Sequence, residues 1–410
     1  MKQSKEMPST QRLDDGEMRP SDSNTVKPAY NTVKPAYIVG CGGYLPGLPI
    51  TNEQIHHYIG YVTSKSEKLK RATLRKNGVN TRHYAREADG TVTHSNAELA
   101  ALAVANALQD ATFDPSQLEF LATATTQGDM LVPGHASLVH AATGIDSLSL
   151  ASFQSVCASS TMAIQSAVHS IQLGQTRVSA AVGSELSSVC FQPSFYQPFY
   201  NEETPVDEAM SLEFLRWTLS DGGAACIFSD RPNPNGVSFK VDWIEQRSFA
   251  NRVENCMYAG TASASDQKYW RTYSSPQQAY QSGALALKQD FDCLYKLFPS
   301  WVGYFCELLD KHQLEPTSVD HFLPHFSAQS LGDHMAQLLD KAKALIPRDK
   351  WFNNLNAIGN TGSASIFFML DGLRKTKKLS HGESILCFVP ESGRSIASFI
   401  KLTVVCNDSK

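Results

Sequence analysis

Three short stretches hold residues able to do covalent chemistry. In Ser155-Val156-Cys157-Ala158-Ser159-Ser160, a β-type run ends just before the cysteine and a small-residue helical pattern begins there. A thiol at such a junction faces backbone N–H groups and the positive helix end, which favour thiolate and so nucleophilicity. Phe322-Leu323-Pro324-His325 closes a strand-like run ahead of another helical pattern, where α/β proteins expose functional groups. Ile358-Gly359-Asn360-Thr361-Gly362 forms a turn before the apolar run 366–370. Asn360 there either caps a helix or points its carboxamide N–H2 into a pocket. Taken singly, Cys157 among nine cysteines reads as a buried structural thiol, and His325 among twelve histidines as an ordinary core or surface imidazole.

Alternating strands and helices must bring these groups together. Strand-like runs at 37–40, 118–124, 147–154 and 178–183 interleave with helical patterns at 96–110, 135–143 and 157–173. Further on, strands are expected at 224–228, 237–244, 319–323, 385–389 and 396–404, with helices at 279–297, 300–312, 327–344 and 363–374. Such alternation implies βαβ units and a parallel sheet. The segment Arg231-Pro232-Asn233-Pro234-Asn235-Gly236 breaks both periodicities. The expected organisation is a disordered extension over 1–35, a Cys157-bearing half over 36–232, and a half over 233–410 bearing His325 and Asn360. The extension contains the heptapeptide NTVKPAY at 24–30, repeated in tandem at 31–37. Two units are too few for a solenoid, so the repeat reads as a local duplication.

Composition excludes several function classes. The 410 residues are 42% hydrophobic, enough for a large core, and the net charge of -4 speaks against a generally basic nucleic-acid binder. No apolar run is long enough for a membrane span. The nine cysteines are scattered without a CxxC pair, which argues against a disulfide framework or a zinc ribbon. With a polar N-terminus lacking an apolar signal core, a reduced cytoplasm is the expected compartment.

Read together and in order, these motifs resemble the thiolase superfamily, and within it the 3-oxoacyl-acyl carrier protein (ACP) synthase III, or ketosynthase III, group. The resemblance covers about 36–404. It is supported by Gly43-Tyr44-Leu45-Pro46-Gly47, Gly78-Val79-Asn80-Thr81-Arg82, Gly183-Ser184-Glu185 and Leu219-Ser220-Asp221-Gly222-Gly223. It implies an α/β thiolase-like fold of two similar mixed-sheet halves in an αβαβα stack. It further implies Cys157, His325 and Asn360 as the catalytic trio, with a second oxyanion hole from the backbone N–H groups of Cys157 and Gly393. The implied activity is acyl transfer with Claisen condensation. A Cys-bound acyl chain meets a malonyl- or β-ketoacyl-thioester in fatty-acid or specialised polyketide synthesis. The implied partners are ACP or coenzyme A thioesters and a second copy of the chain, with no metal, redox cofactor, nucleic acid or membrane.

Departures from the family pattern bear on the substrate. Ala328 stands where housekeeping members carry an Asn, and Glu391-Ser392-Gly393 where they carry three glycines. Ala72 and Lys76 fall where a Trp and an Arg would clamp adenine, which favours ACP delivery. Val132 sits at the gate position and suggests a longer or bulkier acyl chain. The aromatic-rich stretch with Phe191, Phe195, Tyr196, Phe199 and Trp217 is expected to wall an acyl tunnel or to pack in the core. The basic run Lys65, Lys68, Lys70, Arg71, Arg75 and Lys76 is either a docking patch or a solvated helix face. The stretch 213–217 resembles ketosynthases that condense two β-ketoacyl chains and close a ring, as in dialkylresorcinol and aryl-polyene synthesis. O- or N-acyl transfer and a non-catalytic chain-length partner stay open. A degradative thiolase is disfavoured because its late C-x-G cysteine is missing.

Overall fold

The computed structural model describes residues 33–266 and 268–406. The expected disordered extension, with the first heptapeptide, lies outside these apart from residues 33–35. Nine strands form one sheet: β1 (Tyr37–Tyr44), β2 (Phe120–Thr125), β3 (Ser149–Gln154), β4 (Val178–Glu185), β5 (Gly222–Ser229), β6 (Val237–Ser248), β7 (His321–Pro324), β8 (Ser384–Glu391) and β9 (Ile396–Cys406). Their spatial order is β7-β8-β9-β6-β1-β5-β4-β2-β3.

That order contains a repeat. The first five strands run β3-β2-β4-β5-β1, with β2 parallel to β3 and β4, and β5 antiparallel to both neighbours. The last four run β7-β8-β9-β6 with the same senses, and Trp351 bridges the outer side of β7 in parallel where a fifth strand would lie. So β6, β7, β8 and β9 repeat the places of β1, β2, β4 and β5. The two sets are joined edge to edge where Tyr37 and Ile38 pair with Lys240 and Phe239, continued by the Val241 N–H donating to the Ala36 carbonyl at 2.9 Å. The connection carrying the predicted break, 230–236, joins β5 to β6.

Helices stack in three layers around this sheet. In chain order the longer ones are α1 (Ser66–Asn77), α2 (Asn96–Ala111), α3 (His135–Thr143), α4 (Ser159–Gln172), α5 (Val206–Glu213), α6 (Phe291–His312), α7 (Gln329–Lys341) and α8 (Ser365–Thr376). Apolar residues of α4 and α8, such as Ile164 and Phe367, share one core with Ala122, Cys226, Ile385 and Ile400 from both strand sets. These two helices are therefore the filling between the halves. Outside, α2 and α3 cover β1, β4 and β5, while α6 and α7 cover β7, β8 and β9. The result is the expected αβαβα layering.

One expectation changes. The helices expected at 279–297 and 300–312 are a single helix, α6, running through Pro299 and starting only at Phe291. Pro299 is exposed, so its ring and missing N–H fall on the solvated side of the helix, where the freed carbonyl is open to solvent. Residues 276–290 instead form one helical turn and the short strand Lys288–Gln289.

Candidate active site

Cys157 sits in the elbow between β3 and α4. The first-turn hydroxyls tighten that elbow: Ser159 Oγ donates to the Val156 carbonyl and Ser160 Oγ to the Cys157 carbonyl, each at 2.7 Å. His325 follows the last residue of β7, and its N–H donates to the Phe388 carbonyl on β8 at 2.9 Å. Its Nε2 lies 3.0 Å from Cys157 Sγ. The structure thus joins two groups 168 positions apart in the chain.

The charge state of this pair differs from the expected one. Burial lowers the His325 imidazole to about 4. Burial, with the Glu391 and Glu185 carboxylates, pushes the Cys157 thiol well above its ordinary range. The helix end does favour thiolate, but burial, with the two carboxyl groups facing the sulfur, outweighs it. The resting pair is a neutral thiol beside a neutral imidazole.

Asn360 completes the group from the turn ahead of α8. Its Oδ1 accepts the Gly362 N–H at 2.9 Å, so the N–H2 end is the one left to face outward. Gly362 is required there: its φ is +52°, and a Cβ would come within 3.0 Å of the Glu185 carboxylate. Glu185 Oε1 in turn accepts from Ser363 N–H at 3.1 Å and from the Thr126 N–H and hydroxyl at 3.0 and 2.8 Å. Burial raises its carboxyl to about 7.

Cys157, His325, Asn360 and Glu185 line one cavity that opens to the surface. Its remaining wall is mainly apolar: Leu215, Leu219, Leu287, and Leu294, Phe298 and Trp301 of α6. Gly393 lies in the turn between β8 and β9, against Val156, and it is its neighbour Ser392 that lines the cavity.

The expected tunnel residues lie elsewhere. Phe191 and Trp217 are fully buried in the core beneath α6. Tyr196, Phe195 and Phe199 form a separate cluster with Leu69 and Leu212. These rings bury more area as packing than a cavity wall would leave them. Val132 is 75% exposed and lines no part of this chain's own cavity. The α6 stripe at 294, 298 and 301 went unrecognised because i, i+4, i+7 spacing reads only as a core face.

A second depression is lined by Ala72, Thr73 and Lys76 of α1, by Asp207 and Phe214, and by Leu331, which also lines the cysteine's cavity. Lys70 of the basic run is buried near Tyr61 and Trp217, whereas Lys68, Arg71, Arg75 and Lys76 are exposed. Among the described residues no group of three or more His, Cys, Asp or Glu is placed to hold a metal, and no helix is long and apolar enough to cross a membrane.

Comparison with known proteins agrees with this layout. Residues 81–197 match the family model of the thiolase N-terminal domain, and 309–401 that of the C-terminal part of 3-oxoacyl-[acyl-carrier-protein] synthase III. A beta-ketoacyl-[acyl-carrier-protein] synthase III of Rickettsia akari is 21% identical over 350 residues, 85% of this chain and 93% of that one. Among solved structures, the tetronic acid condensing enzyme AbyA1 superposes with a TM-score of 0.69 at 18% identity, covering 90% of this chain and 99% of its own. The 3-oxoacyl-[acyl-carrier-protein] synthase III of Aquifex aeolicus gives 0.66 at 19%, with 90% and 99% covered.

Proposed function

We propose a reaction for this chain on the premise that it belongs to the thiolase superfamily, in its 3-oxoacyl-ACP synthase III-like branch, and is an acyltransferase of the ketosynthase type. Cys157 takes an acyl group from a carrier thioester, and that group is then joined to a malonyl- or β-ketoacyl-thioester by Claisen condensation. The observation that carries this reading is the 3.0 Å approach of His325 Nε2 to Cys157 Sγ, with Asn360 on the same cavity.

In the first half-reaction the Cys157 sulfur attacks the donor carbonyl while its proton passes to His325 Nε2. The carrier thiol leaves and takes that proton back. In the second, the extender loses CO2, or a proton from its α-carbon, and the carbanion attacks the acyl-Cys carbonyl. The Cys157 sulfur departs as a thiolate and takes its proton from solvent after decarboxylation, or the α-proton handed back by its base. Enolate charge on the extender's thioester oxygen is met by the Asn360 N–H2 and, with the neutral imidazole's single proton now carried on Nε2, by His325 Nε2–H, each such donor worth about 2.7–4 kcal/mol of barrier. The backbone N–H groups of Cys157 and Gly393 are assigned to the tetrahedral oxyanion. The apolar wall of Leu215, Leu219, Leu294, Phe298 and Trp301 suits a hydrocarbon chain.

Delivery by ACP is favoured over coenzyme A. The depression that shares Leu331 with the cysteine's cavity is lined by Lys76 but also by Asp207, Glu208, Asp290 and Asp292, so the surface offered to an acidic carrier is the exposed Lys68, Arg71, Arg75 and Lys76 of α1 rather than the depression itself. A homodimer is also inferred. The outer strand β3 is largely exposed, and Met130, Leu131 and Val132 stand 56%, 71% and 75% exposed nearby in sequence. An open edge and a run of bare apolar side chains call for a covering partner. Condensation of two β-ketoacyl chains is the second reading, because Glu185, at about 7 and on the cavity wall, is poised to take an α-proton where no CO2 is lost.

Incubation with a panel of acyl-ACP and acyl-coenzyme A thioesters, followed by intact mass, tests the reading. It should give one covalent acyl adduct that Cys157→Ala abolishes. An unmodified wild type across the panel would point instead to a non-catalytic partner.

A further inference from the structure

The repeated strand order pairs two acidic residues that nothing above connects. Glu185 is the last residue of β4 and Glu391 the last of β8, strands that hold the same place in the two halves. Both are 3% exposed. Glu185 reaches across to Ser363, at the turn ahead of α8 in the other half. Glu391 makes the reciprocal reach: its Oε2 accepts from Ser155 Oγ at 2.7 Å, in the turn ahead of α4. The backbone amides of Ala158, Val156 and Arg394 also favour its ionised form. Two of these amides flank the nucleophile. The guanidinium of Arg394 turns away, donating to the carbonyls of Ala250 and Val253, so Glu391 is held by amide and hydroxyl hydrogens rather than by that cation.

We propose that Glu391 is a positioning residue: its carboxylate braces the turn that presents Cys157 and keeps the resting sulfur a thiol, which yields its proton only to His325 as an acyl donor arrives. This deepens the ketosynthase reading, whose nucleophile it positions. The physical argument has two parts. The elbow amides that would stabilise a thiolate are already engaged by a carboxylate. A second negative charge beside that carboxylate is electrostatically disfavoured, more so in a buried setting. The titratable groups facing Cys157 are Glu391 from β8, Glu185 from β4 and His325 after β7. Glu185 adds to the same effect, and its own hydrogen bonds are spent on Thr126 and Ser363. Burial raises the Glu391 carboxyl without removing its amide and hydroxyl donors.

The test is the pH dependence of Cys157 alkylation by iodoacetamide on the full chain, read by peptide mass, with Cys157→Ala as the blank. In the wild type the midpoint should lie above that of an ordinary cysteine, about 8.5. A midpoint at or below that value overturns the proposal, whether or not any variant folds. In Glu391→Gln the midpoint should fall by about one unit, a tenfold faster alkylation near neutrality. A Glu391→Gln profile superimposable on the wild type also overturns it. No acyl donor enters this measurement. Absence of an acyl adduct with an elevated thiol midpoint removes the condensation reading alone, and the converse removes this proposal alone.

Discussion

Asn360 Oδ1 accepts the Gly362 N–H at 2.9 Å, so a backbone bond decides which end of the carboxamide meets substrate. If that N–H2 stabilises the enolate, Asn360→Ala should load acyl groups onto Cys157 at an unchanged rate. Condensation of the preloaded protein should slow by about 10²–10³, the usual loss for one oxyanion donor. Single-turnover measurement of the two half-reactions decides this. Equal loss in both would contradict the assignment.

His325 calls for a different expectation. From sequence alone, His325→Ala is expected to load normally and condense poorly. With a neutral thiol 3.0 Å from Nε2, the imidazole is needed to take the proton during loading as well. His325→Ala should therefore slow both steps. Because burial holds this imidazole at about 4, the wild-type loading rate should lose its acid limb near pH 4 and not between 6 and 7. A pH–rate profile with an acid midpoint in the ordinary histidine range would refute this.

His135 gives a stability counterpart away from the cysteine. It is buried with Nε2 3.0 Å from Ser184 Oγ, and burial lowers it to about 4. Between about pH 6.5 and 4 the unfolded imidazole binds a proton and the folded one does not, so stability falls as pH drops through that window and is complete above it. At pH 5 the loss is about 2 kcal/mol from this one group. Thermal unfolding at pH 7.5 and 5 should show a smaller decrease for His135→Gln than for the wild type, and parallel behaviour would disprove it.

Leu287 tests the apolar wall. It is half-buried on the cavity, so Leu287→Trp fills space meant for the acyl chain at a folding cost of about 1–3 kcal/mol. Adduct formation should persist with short acyl donors and fail with long ones in an intact-mass series. An unaltered chain-length profile would show that the hydrocarbon runs elsewhere.

Much of the architecture was legible because strand and helix periods alternate cleanly, and Cys157, His325 and Asn360 stand at junctions the pattern marks. What was hidden has physical reasons. Phe191 and Trp217 look like tunnel walls only because they are aromatic, and sequence does not separate a ring packed on all sides from one facing a void. Leu294, Phe298 and Trp301 carry the period of any core helix. Pro299 reads as a break, since exposure of the helix face it occupies is a tertiary fact. The opposition of the helix end and two buried carboxylates at Cys157 depends on Glu391, more than two hundred positions away, and only folding sets their separation.

The two strand sets touch through very few backbone pairs, yet the sulfur comes from one and the imidazole and carboxamide from the other. The chemistry is thus a gauge of how the lobes are seated: a slide of an ångström or two that left every helix and strand intact would silence the enzyme.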